Sequence, residues 1–190
     1  VSGWRLISAR DYRAMPWRNG GGTTWEIAHG RMDGQSEGDW HWRLSAAEIG
    51  ANGPFSAFPG IDRLLTVVAG AGIVLTIDGA EPRLLHRGDD IQFPGEAAVG
   101  CELVAGPTRD LNLMVDRRVA RLVPGGEDQE IRAAGSDTVV LYALEEIALR
   151  IDAGLRVLAM GDAIIGFGGA EAAIEHGRAV WARVERLAAP

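Results

Sequence analysis

The feature that most constrains this chain is its punctuation. Short β-branched and aliphatic runs are broken, again and again, by Gly- and Pro-bearing turns. Arg63-Leu64-Leu65-Thr66-Val67-Val68 and Gly72-Ile73-Val74-Leu75-Thr76-Ile77 are two such runs, parted by Ala69-Gly70-Ala71, and Asp78-Gly79 then supplies a hairpin turn signal. Trp40-His41-Trp42-Arg43-Leu44-Ser45 alternates, which sets Trp40, Trp42 and Leu44 on one face and His41, Arg43 and Ser45 on the other. Leu111-Asn112-Leu113-Met114-Val115 and Thr138-Val139-Val140-Leu141-Tyr142 read as further strands. Turn signals recur at Asn52-Gly53-Pro54, Pro59-Gly60, Pro94-Gly95, Gly106-Pro107 and Pro124-Gly125-Gly126. Many short strands with frequent turns predict an all-β sandwich or barrel.

A repeat divides the chain. Ile77-Asp78-Gly79 leads through Arg83-Leu84-Leu85 to Gly88-Asp89-Asp90-Ile91. About 73 residues on, Ile151-Asp152-Ala153 leads through Arg156-Val157-Leu158 to Gly161-Asp162-Ala163-Ile164. Two copies of strand, turn, strand, Gly-Asp turn, strand predict duplicated β units. The expected halves are residues 1–120 and 121–190, with the acidic, turn-rich stretch 125–135 as the connection. Residues 171–187 fit either an Ala-rich helix or a strand with Val180, Ala182 and Val184 on one face. The strand is favoured because it completes the second β unit.

Composition excludes several function classes. The net charge of −7 disfavours nucleic acid, which needs a basic face. All 19 basic residues are Arg, so no phosphate-loop Lys, Schiff-base Lys or Lys general base exists. Cys101 is the lone cysteine, in apolar surroundings that predict a buried, inert thiol. The four histidines, His29, His41, His86 and His176, lack the short spacing of a compact metal site. No apolar run reaches transmembrane length, and no charged-then-apolar segment opens the chain, so a soluble, cytoplasmic protein is expected.

Two local motifs stand out. Met15-Pro16-Trp17-Arg18-Asn19-Gly20-Gly21-Gly22-Thr23-Thr24-Trp25-Glu26 crowds polar groups and three glycines between two tryptophans. It reads either as a Trp-anchored turn between strands or as a binding loop, where backbone must approach another group closely. Gly34-Gln35-Ser36-Glu37-Gly38 matches the nucleophile-elbow pattern. It has neither the preceding buried strand nor the following helix that the elbow requires, so a surface loop is expected.

Three blocks together resemble the HutD/Ves family of bacterial proteins: Met15 through Glu26 as quoted; Trp42-Arg43-Leu44-Ser45-Ala46-Ala47-Glu48-Ile49 continuing to Gly53-Pro54-Phe55-Ser56-Ala57-Phe58-Pro59-Gly60-Ile61-Asp62-Arg63; and Asp110-Leu111-Asn112-Leu113-Met114. The resemblance implies a cupin-type fold, with two cupin-like jelly-roll or β-barrel halves in one chain. Ordinary cupins hold a metal with several His and a Glu. Around Gly88 to Pro94 this chain keeps a similar turn frame without the ligand His, so a metal-free barrel with no cofactor is expected. The resemblance also implies a link to bacterial histidine utilisation, with a regulatory or flux-limiting role.

Without Lys, cationic anchors must be Arg, whose rigid fork of donors suits a carboxylate. Arg63 opens an apolar strand, so its charge either pairs with Asp62 or another acid, or faces a cavity. Arg18, Asn19, Gly20 and Thr23 are candidate donors on the glycine loop. Arg43 and Ser45 share a face, Asn112 is placed to orient a polar group, and Trp17, Trp25 and Trp42 are candidates for an apolar wall. Glu26 and Glu48 are candidate counter-charges, with solvated or paired carboxylates as the favoured reading. Such a pocket would take a small carboxylate metabolite, urocanate- or formylglutamate-like by the resemblance. A charge-assisted contact contributes on the order of 1.5–3 kcal/mol. The favoured reading is a metabolite-binding regulator rather than an enzyme. The alternatives are a metal-independent isomerase or lyase using His, Glu or Tyr, and an interaction protein with an exposed apolar face. A homodimer through a sheet face is a further expectation.

Overall fold

The computed structural model describes residues 3–17, 22–32, 39–126, 128–151 and 154–188. Among these, secondary structure is nearly all β, with one 3₁₀ turn at Ala9–Asp11. The strands are β1 (Gly3–Ile7), β2 (Arg13–Pro16), β3 (Gly22–Gly30), β4 (Trp42–Ile49), β5 (Gly53–Pro54), β6 (Ile61–Ala69), β7 (Ile73–Ile77), β8 (Arg83–Leu85), β9 (Asp90–Pro94) and β10 (Val99–Leu103). They continue with β11 (Thr108–Asp116), β12 (Ala120–Pro124), β13 (Glu130–Arg132), β14 (Thr138–Ala143), β15 (Ile147–Ile151), β16 (Gly154–Leu158), β17 (Ala163–Phe167), β18 (Glu171–His176) and β19 (Ala179–Arg186). No helix among the described residues is long and apolar enough to cross a membrane. The expected alternating strand starts at Trp42 rather than Trp40: the His41 amide donates to Gly30 O, and its Nδ1 accepts from the Met32 amide.

The chain forms two compact units. One comprises Arg13–His29 and Trp42–Arg118. Its larger sheet runs β2-β3-β4-β11-β6-β9 and its smaller one β5-β10-β7-β8. Leu65, Val67, Ile91 and Phe93 of the first sheet meet Ile73, Leu75, Val99 and Cys101 of the second in one core. Each such fully buried aliphatic side chain contributes about 1.5–3 kcal/mol. The predicted turn at Asp78-Gly79 forms as read: both residues have positive φ, and the Ala80 amide closes it on Ile77 O at 2.9 Å.

The other unit comprises Val1–Tyr12, Gly30–His41 and Val119–Pro190. Its sheets run β1-β17-β14-β19-β12 and β13-β18-β15-β16. The ambiguous C-terminal stretch is strand: β19 is paired on both sides, with β14 and with β12, and buries Ala182 and Val184. Two ladders of backbone hydrogen bonds outweigh the helix propensity of its alanines.

Strand order repeats between the units. Adding eight to every number in β4-β11-β6-β9 and β5-β10-β7-β8 gives β12-β19-β14-β17 and β13-β18-β15-β16. The two Gly-Asp turns repeat bond for bond. Gly88 and Gly161 both take the positive φ that glycine favours. Their amides donate to Val67 O and Ala143 O, while the Asp89 and Asp162 carboxylates accept from the His86 and Ala159 amides.

Setting the units in register on these turns equates Arg63 with Val139, Asn112 with Trp181, Ser45 with Gly125 and Phe93 with Gly166. The second unit thus replaces the polar Arg63, Asn112 and Ser45 by apolar residues. A Cβ at Gly125 would collide with the Trp181 ring, and one at Gly166 with the Trp4 ring. Both indoles pack against that unit's core. Their N–H groups donate to Asp128 O and Glu171 O at 3.0 and 3.1 Å.

Candidate ligand cavity

The unit that keeps the polar residues contains a cavity of about 590 Å³. Its floor is the inner face of β4, β11 and β6. Alternation presents Arg43, Ser45 and Ala47 from β4, and Asp110, Asn112 and Met114 from β11, with Arg63 from β6. The registers are direct: Arg43 and Arg63 flank Met114, while Ser45 flanks Asn112. The walls are Met15, Pro16, Trp17 and Thr24 on one side and Pro54, Phe55, Ser56 and Phe58 on the other.

Each wall is held by hydrogen bonds. The Trp17 amide donates to Gly22 O at 2.9 Å, and its indole N–H donates to Thr24 Oγ1 at 2.8 Å. A Cβ on Gly22 would collide with Glu48 O and crowd the Trp17 ring, so glycine is required there by close approach. On the other wall, the Phe55 amide donates to Val99 O and the Phe58 amide to Gly95 O.

Arg63 is 5% exposed. Its Nε donates to Asn112 Oδ1 and its Nη1 to Ser56 O, both at 3.3 Å. The guanidinium carbon lies 5.0–5.5 Å from the ring centres of Phe55, Phe58 and Phe93. The rings cover its faces and leave its edges for hydrogen bonding. Burial pulls the guanidinium below its ordinary pKa, and the Asp110 carboxylate opposes the drop. The sequence left open a pair with Asp62. Asp62 instead pairs with Arg117 at 3.0 Å, and no described carboxylate lies within ion-pair range of Arg63.

Arg43 is different, because its Nε pairs with Glu26 at 2.9 Å. Glu48 pairs with Arg109, whose guanidinium stacks on Trp25, outside the cavity lining. Asp110 is the residue that sequence reasoning missed. It is 2% exposed, and Asn112 Nδ2 donates to its Oδ2 at 3.4 Å. Burial pushes its carboxyl up to about 6, although Asn112, Arg63 and the Asp110 and Ala47 amides favour the charged form. Its Oδ1 is buried and closes no hydrogen bond. The signal was present: Asp110, Asn112 and Met114 lie two apart on one strand, so one face of an apolar run carries an acid and an amide.

Of the predicted site residues, the structure brings together Arg63, Trp17, Arg43, Ser45 and Asn112. Arg18, Asn19 and Gly20 lie outside the described residues, as does the segment holding Ser36. Thr23 does not line the cavity; its neighbour Thr24 does. Trp42 is a correction. It is 1% exposed but sits on the opposite face of β4 from Arg43 and Ser45, because the strand is buried on both faces. No described His, Glu or Tyr lines the cavity. Cys101 is buried in the core, where desolvation pushes its thiol up to about 12. The cavity's donor set does not fit the metal of ordinary cupins: two guanidinium groups, one amide and one carboxylate would repel a cation more than hold it.

An all-β, cupin-like fold with an Arg-anchored pocket defines the class. A HutD family model matches residues 9–182, and the chain belongs to the HutD/Ves family. It is 41% identical over 145 residues to an uncharacterised 21.2 kDa protein in the hutC 3′ region of Pseudomonas putida, covering 75% of each chain. It is 34% identical over 138 residues to protein Ves of Citrobacter koseri, covering 70% of this chain and 71% of that one. Among solved structures it is similar to HutD from Pseudomonas fluorescens SBW25, described in a formate condition. The TM-score is 0.83 at 32% identity, over 98% of this chain and 100% of that one.

Proposed function

We propose that this protein binds a small carboxylate metabolite in the cavity, without a metal. It acts as a cytoplasmic regulator or flux limiter in histidine or amino-acid breakdown. The observation that carries the reading is Arg63, a buried guanidinium at the edge of a 590 Å³ cavity with no described acid paired to it. A desolvated cation of this kind is stabilised when an anion completes its hydrogen bonds. Two further facts support it. One relative is named for the hutC region, and the similar HutD structure is described in a formate condition, formate being the smallest carboxylate. Urocanate and N-formylglutamate are the ligand class this link suggests. The two units are read as two cupin-like halves, the second running from about residue 120 and completed by Val1–Tyr12 and Gly30–His41, supported by the repeated eight-strand order and the matching Gly-Asp turns. In this reading the half bearing Arg63 holds the ligand, and the half filled by Trp4 and Trp181 is structural.

Calorimetry tests the proposal with urocanate, N-formylglutamate, glutamate and formate against wild type and Arg63→Ala. Wild type binds at least one of them, and the variant, still folded, loses that binding. Identical titration curves for the two proteins would remove Arg63 from the site.

A further inference from the structure

We propose that the cavity's ligand carries a hydrogen-bond donor as well as its acid group, and that Asp110 Oδ1 receives that donor. The inference rests on the carboxylate reading above and narrows the ligand to a bifunctional class. Two buried groups of opposite kind line the same cavity. Arg63 offers N–H donors. Asp110, when ionised, offers only acceptors. Asn112 stands between them: its Oδ1 accepts from Arg63 Nε, and its Nδ2 donates to Asp110 Oδ2. Asn112 Nδ2 meets Oδ2 and not Oδ1, and Asp110 Oδ1 is buried with no hydrogen-bond partner.

The Asp110 and Ala47 amides favour the charged carboxylate, yet Oδ1 itself closes no hydrogen bond. Facing it from the neighbouring strands are Ala47 on β4 and Val67 on β6, whose side chains are apolar and offer no donor. The charged or titratable groups that act on it are Arg63, beyond ion-pair range, and the Cys101 thiol, held protonated by burial. A carboxyl pushed up to about 6 is mostly ionised at neutral pH, and an ionised buried oxygen without a donor is costly. A monofunctional acid on Arg63 would leave that oxygen bare and add a second negative charge beside it. A ligand with an N–H or O–H at its far end completes both. Asn112 and Asp110 are one same-face step apart on β11, about 7 Å along the strand. Acid and donor should therefore be separated by a similar span.

Urocanate and 3-(2-furyl)acrylate test this, because they share the acrylate and differ in a ring N–H against a ring oxygen. Calorimetry on wild type should give urocanate a Kd at least fivefold lower, the least effect of one unpaired buried acceptor. Asp110→Asn, with its amide oxygen kept toward Asn112 Nδ2, turns an NH2 toward the cavity. The preference should then vanish or reverse. A wild-type ratio below fivefold overturns the inference without recourse to any variant, and so does an unchanged ratio in a folded Asp110→Asn. If Arg63→Ala abolishes binding of two probes that wild type binds equally, the carboxylate reading stands and this one falls. Binding of neither probe overturns this inference, and the carboxylate reading falls with it only if N-formylglutamate, glutamate and formate also fail to bind wild type.

Discussion

Replacing Asp110 by Asn should stabilise the free protein at neutral pH and do nothing in acid. The folded-state carboxyl titrates at about 6, against an ordinary 3.8. A raised folded value means that the folded state holds its proton where the unfolded chain has released it. The Asp110 contribution to stability is therefore complete below about pH 4 and is lost as pH rises through 6. Each pH unit in that window changes stability by about 1.4 kcal/mol, so the whole span is on the order of 3 kcal/mol. Asn has nearly the same shape, does not ionise, and keeps an oxygen for Asn112 Nδ2. The stability difference, variant minus wild type, should thus grow by on the order of 3 kcal/mol between pH 4 and pH 7. For a chain of this size that corresponds to a relative gain of about 6–12 °C in melting temperature. Melts of both proteins across pH 4–8 without ligand measure it, and every other titrating group cancels in the difference. A difference that stays flat across the window, or shrinks with pH, would refute the claim that this carboxylate is desolvated.

Three further outcomes follow from the packing. Gly22→Ala drives a Cβ into Glu48 O and the Trp17 ring, so it should lower stability by about 1–3 kcal/mol and weaken carboxylate binding as the Trp17 wall shifts; denaturation and calorimetry read the two effects. Gly166→Ala, crowding Trp4, should lower stability by a similar amount yet leave binding unchanged, because it lies in the other unit; altered affinity would count against a ligand site confined to the Arg63 cavity. Glu26→Gln removes the acid that pairs with Arg43, so carboxylate affinity should rise a few-fold at low salt and the gain should fade in high salt.

What could be read in advance was what local chemistry decides. The runs at Arg63, Ile73, Leu111 and Thr138 became β6, β7, β11 and β14, and Asp78-Gly79 made its turn, because period-two alternation and positive φ are properties of neighbouring residues. Arg43 and Ser45 were placed on one face by the same rule. Trp42, offered as a cavity wall, broke it: odd and even positions of one strand cannot line the same cavity. Hydrophobic character misled there because β4 is buried on both faces. Asp110 went unnoticed because a single acid in an apolar run gives no periodic signal; its meaning depends on Arg63 and Asn112 arriving from other registers. The pairing of β1 with β17 was equally illegible, as nothing near Trp4 announces a partner 160 residues away.

That last pairing bears on how the chain is made. β1 forms the edge of a sheet whose neighbour, β17, is synthesised some 160 residues later. At ordinary elongation rates of about 5–20 residues per second, Trp4 waits on the order of 10–30 s for the slot at Gly166. Asp162, which grips Ser8 Oγ and the Ala9 amide, arrives equally late. Until β17 has been made, β1 is a strand without its hydrogen-bonded neighbour, and its docking completes the edge of that sheet.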